Sequence, residues 1–359
     1  MGEREYDIKK LLEEAKPKID EIIKKWIPKN ASKEWLEMIC GKPRYEFDVN
    51  IIQKTINEPF WDLLDRGGKR WRPYLSLLII EALGETPEKF MDFVLIPEVI
   101  HNGSLIVDDV EDGSETRRGK PCVHKIFGVD VAINVGNWMY FFPIIPLLKN
   151  IEKIGEEKFI KLMKIYIQEM NNIHFGQAMD IGWHNGWGKN ITVEKYLQMC
   201  AFKTGTLARM SAKMAAVLAG ADDELVEKLG KFAESIGVAF QIQDDILNIS
   251  DSELAKKKGG KGEDVTEGKR TLMVIYTIEK ATKEDASRLE EILNMHTTDK
   301  SLIEEAIGIM KKYGAIEYAK SVARKLVEES WKEIDALLPE SEAKNKLRAF
   351  ARFLIERDV

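Results

Sequence analysis

The sequence predicts an all-α protein: a single large bundle of about ten or more helices around a deep central cavity. Three observations predict it. Apolar residues recur at helical spacing through most of the chain. Capping signals return at intervals of helical length. Alternating apolar-polar stretches, the mark of half-buried strands, are scarce.

Taken in order, residues 1–50 are charged and amphipathic, with a break at Ile27-Pro28-Lys29-Asn30. They read as an extra helical segment packed on a main domain of residues 51–359. YLSLLIIEALG at 74–84 and FVLIPEVIHNGSLIV at 93–107 are apolar on most of their circumference, so both belong inside a large bundle. Gly84 closes the first; Thr86 as N-cap and Pro87 as first helical residue open the next. Gly220 and Asp222 repeat that punctuation, while Thr282 with Asp285 and Ser301 with Glu304 read as capping boxes. No linker or low-complexity tract interrupts the chain.

A net charge of −6 over 359 residues argues against nucleic acid as a partner. Cys40, Cys122 and Cys200 are far apart and odd in number, which suits a reducing cytoplasm with unpaired thiols. The polar N-terminus MGEREYDIKK is unlike a secretory signal, and no uninterrupted apolar run reaches the ~18 residues of a membrane span. The expectation is a soluble cytoplasmic protein.

The chemistry concentrates in two matching acidic clusters. Asp108, Asp109 and Asp112 stand at i, i+1 and i+4 after an apolar helical run. Asp244, Asp245 and Asn248 repeat that spacing in FQIQDDILNIS. On a helix those positions lie one turn apart. Facing each other across a cavity, the clusters suit Mg²⁺ shared with a diphosphate, because Mg²⁺ seldom takes a full protein cage. Four basic groups accompany them: Lys69, Arg70 and Arg72 in GGKRWRP; Arg117 and Arg118; Lys203; and Lys258, Lys261, Lys269 and Arg270. Gly67-Gly68 lets backbone N–H groups approach a phosphate closely. Taken singly, each cluster is commonly a solvated surface turn. Together they balance two diphosphates, one reached through metal and one held directly.

GGKRWRP, HNGSLIVDDVEDGSETRRGKP, GQAMD, FKTGT, FQIQDDILN, EDVTEGKRT and the closing LLPESEAKNKLRAFARFLIER stand in one order. From about residue 55 onward this series resembles the trans-isoprenyl diphosphate synthases, and most of all the eukaryotic-type geranylgeranyl diphosphate synthases. The resemblance implies an all-α homodimer that condenses isopentenyl diphosphate head-to-tail with an allylic diphosphate. Three Mg²⁺ ions per active site are implied, with Mn²⁺ able to substitute. Asp108, Asp112 and Asp244 are implied as metal ligands, assisted by Asp109, Asp245 and Asn248. Arg117, Lys203, Gln241, Lys258, Lys261 and Lys269 would grip the allylic diphosphate. Gly68, Lys69, Arg70, His101 and Arg118 would bind isopentenyl diphosphate. Gln177, the Thr204 carbonyl and Phe240 would line the carbocation. Asn248 departs from the third Asp that many members carry, which implies weaker metal affinity.

Product length is read from Gly103 and Ser104, the residues five and four places before Asp108. Family members that stop at fifteen carbons carry a bulky aromatic there, so these small residues imply an open floor and a product of twenty carbons or more. Trp138, Tyr140 and Phe141 are candidates for a deeper floor. The product would be membrane-seeking although the enzyme is soluble. Three other readings compete. A class I terpene cyclase lacks the second diphosphate site that Gly68, Lys69, Arg70 and Arg118 would form. A catalytically silent regulatory subunit tends to lose one aspartate cluster. A longer-chain synthase, making C25 or more, differs only in cavity depth.

Overall fold

The computed structural model describes residues 6–188, 190–250 and 261–355, so Lys258 lies outside the described residues. The fold is all-α, as expected, with one two-residue hairpin pairing Thr116–Arg117 (β1) and Lys120–Pro121 (β2).

Helix α1 (Ile8–Trp26) starts where the Asp7 carboxylate accepts the Lys10 amide at 3.0 Å. Ser32 caps α2 (Lys33–Cys40) through the Trp35 amide at 3.2 Å. A π-helical turn at Gln53–Asn57 leads into α3 (Glu58–Asp65). The apolar helices follow as α4 (Trp71–Ala82) and α5 (Met91–Glu111), then α6 (Val129–Phe141) and the long α7 (Glu156–His184). After α8 (Val193–Cys200) a second π-helical turn, Ala201–Gly205, runs directly into α9 (Thr206–Ala219). The bundle continues with α10 (Asp223–Asn248), α11 (Leu272–Lys280), α12 (Lys283–Asn294), α13 (Lys300–Lys312), α14 (Ala315–Asp335) and α15 (Glu342–Ile355).

Several boundaries follow the sequence signals. Gly220 takes a φ of +83° and ends α9, and the Asp222 side chain caps α10 at the Leu225 amide, 2.8 Å. Thr282 caps α12 through Asp285, 3.3 Å. Two signals read differently. Ser301 is not a cap: Asp299 lies earlier and accepts both the Ser301 amide and its hydroxyl at 2.8 Å. Thr86 precedes a 3₁₀ turn at Pro87–Phe90 and makes no side-chain capping bond.

Helix α9 is buried from Thr206 to Leu218 and packs on α4, α5, α7 and α10, so it forms the axis of the larger core. A second core joins α1, α2, α3 and the apolar faces of α5 and α6. Ile19, Ile23 and Ile27 are fully buried there, and each contributes roughly 1.5–3 kcal/mol. The N-terminal helices therefore share a core with the helix that carries the first aspartates. Two stretches, Pro87–Glu111 and Val129–Lys149, are long and apolar enough to cross a membrane, contrary to the sequence expectation. Here both are core helices, with 61% and 50% of their apolar windows buried in the protein.

Glycine sets a close helix crossing in the second core. A Cβ on Gly103 would lie 2.8 Å from Met139 Cβ and 3.0 Å from the Gly136 carbonyl oxygen. A Cβ on Gly136 would lie 2.6 Å from Val107 Cγ2. Gly103 thus faces α6. Substituting Gly103→Ala should cost roughly 1–3 kcal/mol through overpacking, read as a lower midpoint in chemical denaturation.

Candidate active site

The end of α5 presents its acids to α7 and to the π-helical turn. Asp108 Oδ1 accepts from Gln177 Nε2 at 2.8 Å and lies 3.3 Å from Lys203 Nζ. Lys203 Nζ also reaches Asp180 Oδ2 at 2.5 Å, and Gln177 donates to Glu111 Oε2 at 2.7 Å. Burial alone would favour a protonated Asp108, but Lys203, Lys269 and Arg117 outweigh it and hold the carboxylate ionised. Burial and the neighbouring Asp108 push Asp112 the other way, toward its neutral form. Lys203 stays charged because Asp108 and Asp180 outweigh its own burial.

The π-helical turn aims Lys203 into this group, since its wider winding displaces side chains from the helical register. Two glycines let neighbouring helices press on it. A Cβ on Gly176 of α7 would stand 2.2 Å from the Lys203 nitrogen, and one on Gly237 of α10 would stand 2.7 Å from Gly205 Cα. A side chain at either position would force the backbones apart. Thr204 Oγ1 donates to Gln241 Oε1 at 2.9 Å, and Gln241 Nε2 donates to Asp245 Oδ1 at 2.8 Å.

The second cluster is held by its own partners. Asp245 is buried and also accepts the Tyr196 hydroxyl at 2.7 Å. Burial and Asp264 push its carboxyl well above the usual range. Asn248 Oδ1 accepts the Asp264 amide at 3.2 Å, and its carbonyl accepts the Gly262 amide at 2.9 Å. These bonds bring the short helix Glu263–Thr266 alongside α10. Lys269 then pairs with Glu267, lies 3.6 Å from Asp264, and acts electrostatically on Asp108 and Asp112. Lys269 thereby links the two clusters.

Arginines build the adjoining pocket. Arg118 and Gly119 both have positive φ, 52° and 75°, as a two-residue hairpin turn between β1 and β2 requires. The hairpin sends its arginines to different places. Arg117 Nε and Nη2 donate to Asp109 Oδ1 at 2.8 and 2.5 Å. Arg118 Nη1 donates to the carbonyls of Leu63 at 3.1 Å and Gly67 at 2.8 Å. Burial, reinforced by Arg70, Arg117 and Arg66 and only partly offset by Glu98, pulls Arg118 down to about 10. His101 is drawn well below its ordinary value by burial and then by Arg72, Arg118, Arg117 and Arg70. A neutral imidazole among four guanidinium groups marks a pocket short of negative charge.

Several expected roles change with this geometry. Asp109 is fully buried and committed to Arg117, and burial with Asp109 pushes the nearby Cys122 thiol up to about 12. Asp109 and Asp245 therefore turn into the protein, and Asn248 holds the Asp264 loop. Asp108, Asp112 and Asp244 remain the half-buried members of the clusters. Arg70 is clamped by Asp20 and Glu98 at 2.7 and 3.0 Å. Arg72, two residues on, is the arginine acting most strongly on His101, with its guanidinium 4.3 Å from the Trp71 ring centroid. Lys261 pairs with Glu304 at 2.8 Å, on α13. Phe240 stacks on Trp71 at 5.4 Å, and Lys69 is exposed beside Gly68. Asp180, Glu111, Asp264 and Glu267 were not singled out by sequence reasoning. The signal for Asp180 and Asp264 was their place in GQAMD and EDVTEGKRT.

The polyprenyl synthetase family profile matches residues 53–310. The chain belongs to the polyprenyl synthetase family. It is a prenyltransferase that elongates prenyl diphosphate chains. A short chain isoprenyl diphosphate synthase of Methanothermobacter thermautotrophicus is 35% identical, over 86% of this chain and 92% of its own. A geranylfarnesyl diphosphate synthase of Natronomonas pharaonis is 33% identical over 82% and 88%. The crystal structure of a geranylgeranyl pyrophosphate synthetase from Pyrococcus horikoshii superposes with a TM-score of 0.82 at 32% identity, covering 98% of this chain and all of that one.

The family depends on divalent metal. Among the described residues, no three His, Cys, Asp or Glu groups converge as a ready metal shell. Lys203 and Lys269 stand among the acids instead. The donor chemistry nevertheless fits Mg²⁺. The acids are hard oxygen donors crowded enough to push Asp112 toward protonation, and phosphate oxygens normally complete such a shell.

An anion entering the arginine pocket should raise the His101 pKa and draw in a proton. A pKa raised on binding means tighter binding as pH falls, so affinity for a diphosphate anion should rise as pH falls through the raised His101 pKa, beyond the ligand's own titration. Calorimetry in buffers of different ionisation heat measures that uptake. His101→Asn should abolish it, and an unchanged proton balance in the variant would refute the assignment.

Proposed function

We propose that this prenyltransferase condenses isopentenyl diphosphate head-to-tail with an allylic diphosphate and releases mainly geranylgeranyl diphosphate. One observation carries the two-substrate reading: two cationic groups adjoin the acidic end of α5, and Arg117 acts on both. Arg117, Lys203 and Lys269 gather around Asp108 and Asp112. Arg72 and Arg118 act on neutral His101, and Arg118 reaches Gly68. The first group is assigned to the allylic diphosphate and the second to isopentenyl diphosphate, with Arg72 taking the role expected of Arg70.

Asp108, Asp112 and Asp244 would hold Mg²⁺, three ions in all, with Mn²⁺ able to replace it. Bound with a diphosphate there, the metal supplies charge neutralisation for the leaving group. Lys203 and Lys269 add fixed positive charge at the same oxygens, so the allylic C–O bond breaks with its electron pair leaving on pyrophosphate. The isopentenyl double bond then attacks the allylic carbon. A proton leaves the new cation to the departing pyrophosphate, giving a chain five carbons longer. Gln177, the Thr204 carbonyl and the Phe240 ring are assigned to the cation's side of the cavity.

Chain length is assigned to Ser104 and Tyr140. Ser104 is half-buried, one helical turn before Asp108, with its hydroxyl bonded to the His101 carbonyl at 2.9 Å. Tyr140 packs near Gly103, meets His174 edge-on at 5.4 Å, and lies in the field of Glu111 and Asp108. Of the other candidates, Trp138 belongs to the aromatic core with Trp35, Phe60 and Phe142, and Phe141 is exposed. Exposed Ile133 and Phe141 on α6, with Ile160, Ile167 and Phe175 on α7, support assembly as a homodimer. The free cysteines support a cytoplasmic setting.

Purified protein, Mg²⁺, labelled isopentenyl diphosphate and five-, ten- or fifteen-carbon primers test this reading, with dephosphorylated products sized by mass spectrometry. A dominant twenty-carbon linear alcohol is expected. A twenty-five-carbon alcohol would instead match the geranylfarnesyl relative and place the stop deeper. No elongation from any primer would favour a silent subunit. Ser104→Phe should shorten the product, and an unchanged product would refute Ser104 as a chain-length residue.

A further inference from the structure

Helix α1 lies outside the family match, yet it reaches the arginine pocket. Asp20 Oδ1 accepts from Arg70 Nε at 2.7 Å. Arg70 Nη1 bonds Glu98 Oε1 at 3.0 Å and the Gly67 carbonyl at 3.2 Å, and Nη2 bonds the Leu64 carbonyl at 3.3 Å. Arg70 is 3% exposed and holds a left-handed backbone, φ 53°, directly before α4. For a residue with a Cβ that conformation persists only when surrounding contacts impose it. The same Gly67 carbonyl accepts Arg118 Nη1 at 2.8 Å. A Cβ on Gly68 would lie 2.7 Å from Arg70 Nη1 and 3.3 Å from Arg118 Nη2, so the loop is wedged between the two guanidinium groups. A cavity of about 320 Å³, lined by Lys16, Asp20, Lys24, Lys29, Trp61 and Arg70 among others, opens on the α1 side of this contact.

We infer that Asp20 is a positioning residue for the isopentenyl diphosphate pocket: by clamping Arg70 it fixes the Gly67-Gly68-Lys69 loop and the Arg118 side chain. This rests on the two-substrate reading above. The action is one-sided. Arg117, Lys203 and Lys269 are held by Asp109, Asp108, Asp180, Asp264 and Glu267, and none of those acids lies on α1. Removing the Asp20 charge leaves Glu98 as the remaining carboxylate on Arg70. The turn at residue 70 then loses one of its constraints, and the pocket pays in affinity for one substrate alone.

The test is steady-state kinetics on full-length Asp20→Asn, with calorimetric titration of isopentenyl diphosphate into primer-free protein. The KM for isopentenyl diphosphate and its dissociation constant should both rise on the order of tenfold, the loss of one charge-assisted hydrogen bond. The KM for the primer and kcat should hold, and Asp20→Glu should recover most of the loss. Asp92→Asn is the control. It removes the carboxylate charge that meets Lys25 Nζ and Trp26 Nε1 of α1 at 2.6 and 2.8 Å, a contact in which Arg70 takes no part. It should lower thermal stability without moving either constant. Equal shifts for both substrates, no shift in Asp20→Asn, or the same shift in Asp92→Asn would overturn the inference. A wild-type protein that makes no product would sink the proposed function instead, and the titration would still decide the role of Asp20.

Discussion

Every charge at this site lies against apolar helices, and a buried charge is tolerated only beside its opposite. That constraint arranges the rest. Lys203 stands between Asp108 on α5 and Asp180 on α7, so one ammonium ties together two helices that meet at the reaction centre. Arg117 fills the same role between the hairpin and Asp109, and Lys269 between the Glu263–Thr266 turn and the end of α5. The site is a lattice of alternating sign. Where a cation is surplus, as around His101, the lattice is incomplete in the sense that suits a polyanion.

The same alternation separates acids that hold the fold from acids that stay partly exposed. Adjacent residues on a helix are about 100° apart, so two neighbouring aspartates point in different directions. In each pair the second turns inward: Asp109 to Arg117, Asp245 to Tyr196 and Gln241. The inward aspartates are fully buried or nearly so, whereas Asp108 and Asp244 are half-buried. The doubled motif therefore joins a half-buried carboxylate to an inward brace, which holds Arg117 in the first pair and is held by Tyr196 and Gln241 in the second.

The helical class, the apolar interior helices and the residues of both clusters were legible because periodicity and charge spacing are local properties. What escaped was set by contacts distant in sequence. Arg70 and Arg72 are equivalent as letters; only the approach of Asp20 and Glu98 makes one a strut and leaves the other beside His101. Gly103 read as an empty place on a cavity wall, but Gly136 across the crossing makes it a packing contact. Gly176 and Gly237, which admit the π-helical turn, were equally silent, since helical spacing does not say which glycine meets another backbone. Lys261 belonged to a run of lysines, and its partner Glu304 lies on a helix forty residues further along.

The two cores give this separation a mechanical sense. Helix α5 belongs to both: Ile96 and Ile100 face the larger core, and Leu95, Val99 and Ile106 the smaller. Its C-terminal turn carries the first aspartates, so the site is anchored on two independent packing surfaces rather than on loops. Precision follows, because sub-ångström placement of a carboxylate needs a backbone that cannot tilt. The π-helical turn answers the same demand from the other side, since Gly176 and Gly237 let α7 and α10 grip the Lys203 backbone directly. Ser104, proposed above for chain-length control, lies one turn earlier on the same rigid helix, and Tyr140 lies on α6 across the helix crossing.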